Sequence, residues 1–277
     1  MSRAIAPNSE LLEPELLEPE LLEQRRQEAL AFSDRCIQVL KQDFGATEVI
    51  VFGSLRGDSP WHWRSDLDLA VRGMTDDGIW NAYSALEKIS PPWLKVDLVP
   101  VDKAPALVRC RILQEQPMPK NKYLALKVRI EDELVSMTST LETMNQVLAQ
   151  ANTVAEIIIT PALASYIADF YTFCERISER VAVTLDGGLP KGDNWHELLL
   201  RQVADLGGDD RPPLWSGSLL LELDEYRKFR HLERHNYRID LDPDRVLELA
   251  QKVEPVFEKV KRAIATFSQW LEAQANP

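Results

Sequence analysis

Apolar residues follow two different periods along this 277-residue chain, and the change comes near Tyr123. Before it, short runs of β-forming residues bounded by turn residues predict strands. These runs cover Glu48–Phe52, Asp68–Val71 and Lys95–Val99. Apolar residues at helical spacing predict helices at Glu20–Asp43 and Asp77–Ile89. The first part of the chain is therefore predicted to be an α/β domain.

After Tyr123 the pattern is helical throughout, and no strand pattern competes with it. Pro105, Pro117 and Pro119 mark the connection that leads into this region. The predicted helices are Leu124–Gln150, Thr153–Leu185, Trp195–Ala204, Gly217–Arg234 and Pro243–Leu271. The loops Asp186–Asn194 and Leu206–Ser216, rich in glycine and proline, separate the middle helices. Packing of the apolar stripes predicts an all-α helical bundle over residues 123–277.

An acidic segment opens the chain. Residues 1–24 contain six glutamates against the single Arg3, and they repeat the motif Glu-Leu-Leu-Glu-Pro. Pro14 and Pro19 interrupt helix, so we expect a flexible extension that becomes helical only after Pro19 and precedes a first domain at residues 25–116. A solvated acidic tail is one interpretation of the repeat, and a segment that binds a partner is the other.

Amino-acid composition bears on what the protein binds and on where it resides. The formal net charge is −12 at pH 7, which disfavours nucleic-acid binding unless the basic residues are clustered. The three cysteines match neither a disulfide framework nor a zinc spacing: Cys36, Cys110 and Cys174. No signal peptide is visible, and the most apolar span, Val154–Phe170, is interrupted by Glu156 and Pro161. We therefore expect a cytoplasmic protein with no membrane segment.

Residues 51–71 carry the strongest chemical signal. Gly53 and Ser54 follow an apolar run, and Asp66 and Asp68 stand one residue apart before the next run. In a strand, residues two apart share a face, so both carboxylates are expected to point the same way. Mg²⁺ binds one or two carboxylates together with substrate phosphates, while a glycine lets a backbone N–H approach a phosphate closely. The pattern predicts a site for Mg²⁺ and a nucleoside triphosphate.

A third acid follows on the next predicted strand. Asp97 lies in the middle of apolar β-forming residues, where burial of an unpaired carboxylate would cost free energy. A shared cation would offset that cost. Two-metal phosphoryl transfer uses carboxylates that bridge the ions at the attacking and leaving oxygens, and Asp66, Asp68 and Asp97 would suffice.

At these residues the chain resembles the minimal nucleotidyltransferases of the polymerase β-like superfamily. Their pattern is Gly-Ser, a short loop with Arg-Gly, Asp-x-Asp and a later Asp. The resemblance implies an α/β nucleotidyltransferase domain with a mixed sheet, in which Gly53, Ser54 and Arg56 bind the triphosphate of ATP. It also implies that the three acids hold Mg²⁺ and that the last of them acts on the incoming hydroxyl. One departure is that only Leu55 separates Ser54 from Arg56, where most members have two residues.

One segment of the predicted bundle breaks the acidic trend. From Glu225 to Arg238 five basic residues stand against two glutamates, and two of the four histidines of the chain lie here. On a helix, Arg230, Arg234 and Tyr237 would share one face. Arginine binds a phosphodiester through two hydrogen bonds, and histidine serves as a base or acid toward a ribose 2′-hydroxyl. These residue types fit metal-independent cleavage of RNA.

The same segment resembles the HEPN family of all-α domains, which often accompany minimal nucleotidyltransferases. The HepT branch carries Arg, four residues, His, one residue and Tyr, and Arg230, His235 and Tyr237 match it. The resemblance implies RNA cleavage by Arg230 and His235 in a site completed across a homodimer, and addition of AMP to Tyr237 by the nucleotidyltransferase. Some relatives use Arg-His followed by a second Arg, which would assign these roles to His231 and Arg234.

Three functional hypotheses follow. The leading one is a Mg²⁺-dependent nucleotidyltransferase, a protein adenylyltransferase antitoxin, fused to a HEPN ribonuclease-toxin-like domain. The second is a small-molecule adenylyltransferase of the aminoglycoside-modifying kind, which predicts acidic residues facing a cationic substrate in the helical domain. The third is a non-enzymatic module that senses a nucleotide. Incorporation of labelled nucleotide, with and without added acceptors, would separate the three.

Overall fold

We describe the protein from a computed structural model, over residues 19–104, 106–115, 117–205, 211–235 and 241–276, apart from the side chains of residues 107 and 235. The chain divides into two compact units. The first runs to Ala104 and includes Lys191–Asp193, and the second comprises Pro105–Pro190 and Asn194–Pro277. The sequence placed the end of the first domain at residue 116, whereas packing groups the residues after Ala104 with the second unit.

The first unit is a three-stranded sheet with two helices. Its elements are α1 (Pro19–Gln42), β1 (Glu48–Phe52), β2 (Leu67–Arg72), α2 (Asp76–Ile89) and β3 (Val96–Pro100). The strand order is β1-β2-β3, with β1 antiparallel and β3 parallel to the central strand, so the sheet is mixed. Most of the acidic extension predicted at residues 1–24 lies outside the described residues, and its last part, from Pro19, belongs to α1.

The core of the first unit is formed by the sheet together with α1 and α2. On α1 the buried residues recur at helical spacing: Ala29, Phe32, Cys36 and Leu40. On β2 the alternating residues Leu67, Leu69 and Val71 are buried, while Asp68 points to the other side of the strand and is half-buried. The alternation leaves Asp68 on the central strand but outside the apolar cluster.

The second unit is a helical bundle. Its helices are α3 (Ala106–Ile112), α4 (Lys122–Leu148), α5 (Glu156–Leu185), α6 (Trp195–Ala204), α7 (Ser218–His235) and α8 (Pro243–Ala275). Helix α5 packs against α4, α6, α7 and α8, and α4 packs against α8. One apolar cluster runs through α4 to α8 and includes the fully buried Trp215 in the connection before α7. An all-α architecture is the expected result of five long amphipathic segments with no strand partner.

Helix α5 is the one helix in the described part of the chain that is long and apolar enough to cross a membrane by length and composition. Its buried residues lie between Ile159 and Ala182, and the helix packs against α4, α6, α7 and α8. A helix that is apolar around much of its circumference is also typical of the centre of a bundle.

Capping explains where several elements begin. The Asn121 side chain accepts hydrogen bonds from the N–H groups of Tyr123 and Leu124, so α4 starts two residues before the predicted Leu124. Asp242 caps α8 in the same way, and Pro243 occupies its first turn as predicted. Helix α3 was not predicted, because the prolines on either side of it indicated a plain connection.

A buried arginine, Arg211, lies in the segment between α6 and α7. Arg211 has no exposed surface and makes a two-point ion pair with Asp186, at 2.7 and 3.1 Å. Its guanidinium also donates to backbone carbonyls, which belong to Gln202, Val203, Asp205 and Pro212. Within the described residues, this cation thus joins the start of the segment that leads to α7 to the ends of α5 and α6.

Candidate functional site

The backbone at Gly53 lies against the carboxylate of Asp68. Gly53 follows β1 and has φ +74°, a left-handed conformation that favours glycine. A Cβ at this position would stand 2.0 Å from Oδ2 of Asp68. A side chain at this position would require the Asp68 carboxylate to shift. Since Phe52 pairs with Asp68 across β1 and β2, the sheet register itself brings the Gly-Ser turn onto the acidic residue.

A second carboxylate, that of Asp58, organises the Gly-Ser turn. Residues Gly53–Arg56 form a 3₁₀ turn that ends at Gly57, with φ +94°. The Gly53 N–H donates to Oδ2 of Asp58 at 2.9 Å. Arg56 donates from Nε to Oδ1 of Asp58 at 3.3 Å, and its Nη2 lies 3.0 Å from Oδ2. Two of the predicted phosphate-binding groups therefore share one acidic partner, while Ser54 is buried inside the turn.

Asp68 and Asp97 are direct neighbours across the parallel strands β2 and β3. Adjacent residues in register project to the same face of a sheet. The pKa of the Asp68 carboxyl is raised from its usual value to about 7, first by burial and then by nearby negative charges, which belong to Asp97, Asp66 and Asp58. An acidic cluster with unfavourable mutual repulsion gains stability from a bound cation.

Two details of the acidic cluster differ from expectation. Asp97 is exposed, so the expectation that its strand buries the carboxylate was wrong. Strand β2 begins at Leu67, so strand alternation does not determine the direction of the Asp66 side chain. Across the described ranges, no group of three or more His, Cys, Asp or Glu is placed to hold a metal ion. The acids offer a partial site, to which substrate phosphates would add ligands.

The loop before Asp66 is folded by its own side chains. The His62 N–H donates to Oγ of Ser65 at 3.0 Å, and the Ser65 N–H donates to the His62 carbonyl at 2.9 Å. Nδ1 of His62 accepts from the Arg64 N–H at 3.2 Å. Burial, and then the Arg64 charge, lower the pKa of His62 to about 4. This histidine is neutral at pH 7 and adds no charge to the loop.

In the second unit, Arg230 is held inside the bundle. On α7 it is 6% exposed. Its Nη2 lies 2.9 Å from Oε2 of Glu175 on α5, and its Nε donates to Oγ1 of Thr172 at 3.0 Å. Nδ1 of His196, on α6, is hydrogen-bonded to the same Glu175 carboxylate. The guanidinium also stands 5.8 Å from the ring centre of Tyr171. Burial lowers the pKa of Arg230, and the Glu175 charge opposes that shift.

The other predicted cations of α7 face outward. His231 and Arg234 are exposed. The pKa of Asp169 on α5 is raised by burial, and the positive charges of Arg176 and Arg234 oppose that shift. Helix α7 ends at His235, whose side chain lies outside the described residues, as does Tyr237. The structure therefore brings Arg230 together with Glu175 and His196, and it leaves the predicted relation of Arg230 to His235 and Tyr237 undescribed.

The sequence motifs missed four polar residues at these two places: Asp58, Thr172, Glu175 and His196. Asp58 had a local signal, because a carboxylate two residues after Arg56 is positioned to pair with it. The other three lie on α5 and α6, far from Arg230 in sequence, and only the packing of those helices against α7 brings them together.

Comparison with known proteins bears on the second unit. No curated protein and no solved structure matched the chain. One family model, described as HepT-like protein, matches residues 162–271. The matched range contains most of α5, all of α6 and α7, and most of α8, and it includes Glu175, His196 and Arg230. Residues 162–271 of this chain are therefore similar to HepT-like proteins, which supports a HEPN-type, toxin-like module in this part of the molecule.

Proposed function

We propose that this protein is a Mg²⁺-dependent nucleotidyltransferase fused to a HEPN-type ribonuclease-toxin-like module, and that the first activity controls the second. The transferred group is AMP from ATP, and the acceptor is the phenolic oxygen of Tyr237. The fusion then acts as a self-regulated toxin and antitoxin in one chain. The HepT-like match over residues 162–271 supports the toxin-like half of this proposal.

The observation that carries the nucleotidyltransferase half is the placement of Asp68. It sits beside Asp97 in register on a parallel strand and directly under the backbone of Gly53. A triphosphate bound at the Gly53 turn would bring its phosphates next to two carboxylates. That geometry suits a phosphoryl site in which substrate oxygens complete the coordination of a divalent ion.

Asp66, Asp68 and Asp97 would hold Mg²⁺ together with oxygens of the bound phosphates: Asp68 and Asp97 are neighbours in register, and burial of Asp68, followed by the negative charges around it, raises its pKa. When bound, the ion would neutralise charge on the phosphates and on the leaving group. The protein residues bind and orient the reactants. The Tyr237 oxygen attacks the α-phosphorus, the bond from that phosphorus to the bridging oxygen of the β-phosphate breaks, and pyrophosphate leaves. The phenolic proton passes to Asp97, which is exposed to an incoming acceptor.

In the second unit, the buried Arg230 positions α7 against α5 through Glu175 and Thr172. The exposed His231 and Arg234 are accessible to an RNA phosphate, and with His235 they supply the cationic and titrating groups that cleavage needs. A histidine removes the proton from the 2′-hydroxyl, the 2′-oxygen attacks phosphorus, and the 5′-oxygen leaves with a proton from water. AMP on Tyr237 would add negative charge three residues from Arg234 in sequence and oppose RNA binding.

The direct test measures the transfer of labelled AMP from ATP to the protein. The double variant Asp66→Asn and Asp68→Asn removes two metal-binding charges while keeping side-chain size, so transfer should fall to background with an unchanged circular dichroism spectrum. Mass spectrometry of the purified wild type should find AMP on Tyr237 and none in the double variant. Full transfer by the double variant would contradict the assignment of these acids.

A second experiment tests the link between the two activities. Asp66→Asn should leave Tyr237 unmodified, so the protein should cleave RNA or inhibit growth, and a further His235→Ala change should abolish that effect. If Asp66→Asn is harmless, cleaves no RNA, and the wild type carries no nucleotide on Tyr237, the toxin and antidote relation fails. Label transfer to an added cationic small molecule would then favour the small-molecule adenylyltransferase.

A further inference from the structure

The proposed triphosphate site contains a carboxylate for which neither the motif nor the proposed reaction has a use, that of Asp58. One of its oxygens accepts from the Gly53 N–H at 2.9 Å and lies 3.0 Å from Nη2 of Arg56. Its other oxygen accepts from Nε of Arg56 at 3.3 Å. Gly53 and Arg56 are the donors assigned to the triphosphate. A carboxylate of the protein therefore occupies the position expected for phosphate oxygens.

We propose that Asp58 is a built-in competitor of the nucleoside triphosphate, which must displace its carboxylate from Arg56 and the Gly53 N–H in order to bind. This inference rests on the proposed nucleotidyltransferase function and adds a residue that sets nucleotide affinity. Carboxylate and phosphate present two oxygens to one guanidinium in the same way, so one can replace the other. The side chains of Arg56 and Asp58 are 24% and 31% exposed, and a pair open to water separates at little cost.

The opposite role would be a brace, in which Asp58 orients Arg56 toward the phosphate. A brace engages the side of the guanidinium that faces away from the ligand and leaves other phosphate donors available. Asp58 instead engages the guanidinium and the Gly53 N–H together. It also lies close enough for its charge to act on Asp68, so it adds to the negative potential that an incoming triphosphate meets. Both features favour competition.

The test is the affinity of the full-length protein for MgATP, measured by isothermal titration calorimetry at fixed ionic strength. In Asp58→Asn the amide oxygen still accepts from the Gly53 N–H, but the charge that holds Arg56 is lost. Asp58→Ala loses both interactions. We expect about three- to tenfold tighter binding for Asp58→Asn and at least as much for Asp58→Ala. Asp77→Asn, which removes an exposed carboxylate from the first turn of α2, controls for the change in net charge.

Two further measurements locate the effect. In an Arg56→Ala background, Asp58→Asn should tighten binding less than it does in the wild-type background, because the cation for which carboxylate and phosphate compete is gone and only the repulsion between the Asp58 charge and the triphosphate is relieved. The affinities of the variants for magnesium tripolyphosphate should rank in the same order as their affinities for MgATP, because Asp58 competes with the phosphates and not with the nucleoside. Circular dichroism on each variant establishes that it is folded.

The outcomes separate this inference from the function on which it rests. Equal or weaker MgATP binding by both Asp58 variants, with binding retained in the wild type, would overturn the competitor role and indicate a brace. A gain of the same size in the Arg56→Ala background as in the wild-type background would also overturn it. If neither the wild type nor any variant binds MgATP, the proposed nucleotidyltransferase function fails, and this inference fails with it.

Discussion

Each of the two units holds an arginine of a predicted site against a carboxylate of the same chain, but the settings differ. Arg56 and Asp58 are two residues apart in one turn, and their side chains are 24% and 31% exposed. Arg230 and Glu175 join α7 to α5, and their side chains are 7% and 4% exposed. Both arginines were assigned to phosphate binding by motif, and only the first lies where a phosphate can reach it without opening a helix interface.

The difference shows how burial changes the role of the same ion pair. An exposed pair exchanges readily with water and with competing anions, so it contributes little stability and remains available. In a buried pair, loss of one partner leaves an uncompensated charge, so the pair acts as part of the packing. Arg56 is therefore the arginine that remains accessible to a ligand, whereas Arg230 is part of the packing of α7 against α5.

The largest effect is expected from breaking the buried pair. Glu175→Ala leaves Arg230 without its carboxylate inside the bundle and should lower the free energy of unfolding by about 3–5 kcal/mol. Urea unfolding followed by circular dichroism measures this change. Glu131→Ala, which removes one of the two carboxylates paired with Lys127 in a more exposed setting, is the control and should cost less than about 1 kcal/mol. Similar small losses for both variants would remove the distinction between the two settings.

The next effect concerns the backbone that brings Asp68 under the turn. Gly53→Ala places a Cβ 2.0 Å from the Asp68 carboxylate at a left-handed φ, so it should cost more than about 2 kcal/mol and also abolish nucleotide binding. Gly57→Ala is the control, because its φ is also left-handed but no atom lies within 4 Å of the added Cβ. Its cost should stay near the strain alone, about 1–2 kcal/mol. Equal costs would mean that the turn moves away from Asp68 without penalty.

A third effect depends on pH. The pKa of Asp68 is about 7 in the folded protein, above its usual value, so the folded state keeps this proton when the unfolded chain has lost it. The stability from this group is complete below pH 4 and is lost as pH rises through 7. Relative to wild type, Asp68→Asn should therefore gain about 1–3 kcal/mol between pH 5 and pH 8 without Mg²⁺. If the free energies of unfolding of the two proteins change with pH in parallel, the raised pKa of Asp68 is contradicted.

The smallest effect completes the comparison. Asp58→Asn breaks an ion pair that is open to water, so the free energy of unfolding should change by less than about 1 kcal/mol. The same urea experiment measures it, with wild type alongside. A loss as large as that of Glu175→Ala would show that the turn, like the bundle, depends on its ion pair.

The elements of the first unit were accessible from sequence, because each carries a local signal. The three strands lie close to the predicted ranges. The sequence singled out Gly53 for close backbone approach, and the structure places it in a turn with φ above zero. The HepT-like match also supports the prediction for the helical half. Helix α3 was missed because flanking prolines are a local signal for a loop, although the structure has a short helix there, with an ion pair between Arg111 on α3 and Asp132 on α4.

The partners of charged residues were not accessible from sequence. Glu175 was an unremarked residue of a long helix, and its burial beside Arg230 depends on how α5 and α7 pack. Arg211 lay in a predicted loop, yet it is fully buried on Asp186. Asp97 showed the reverse error, because its strand neighbours are apolar while its own side chain is exposed. Pairing and burial of this kind are properties of the assembled fold and not of a sequence window.

A single carboxylate, that of Glu175, serves both His196 and Arg230, and this has a consequence for sequence variation. A chain that loses the acid at position 175 would leave His196 and Arg230 without this hydrogen-bond acceptor. A chain that loses Arg230 would leave a buried acid with one partner fewer. We therefore expect positions 175, 196 and 230 to change together among related chains. Such covariation would reveal from aligned sequences that α5, α6 and α7 meet at these three positions, which no linear motif connects.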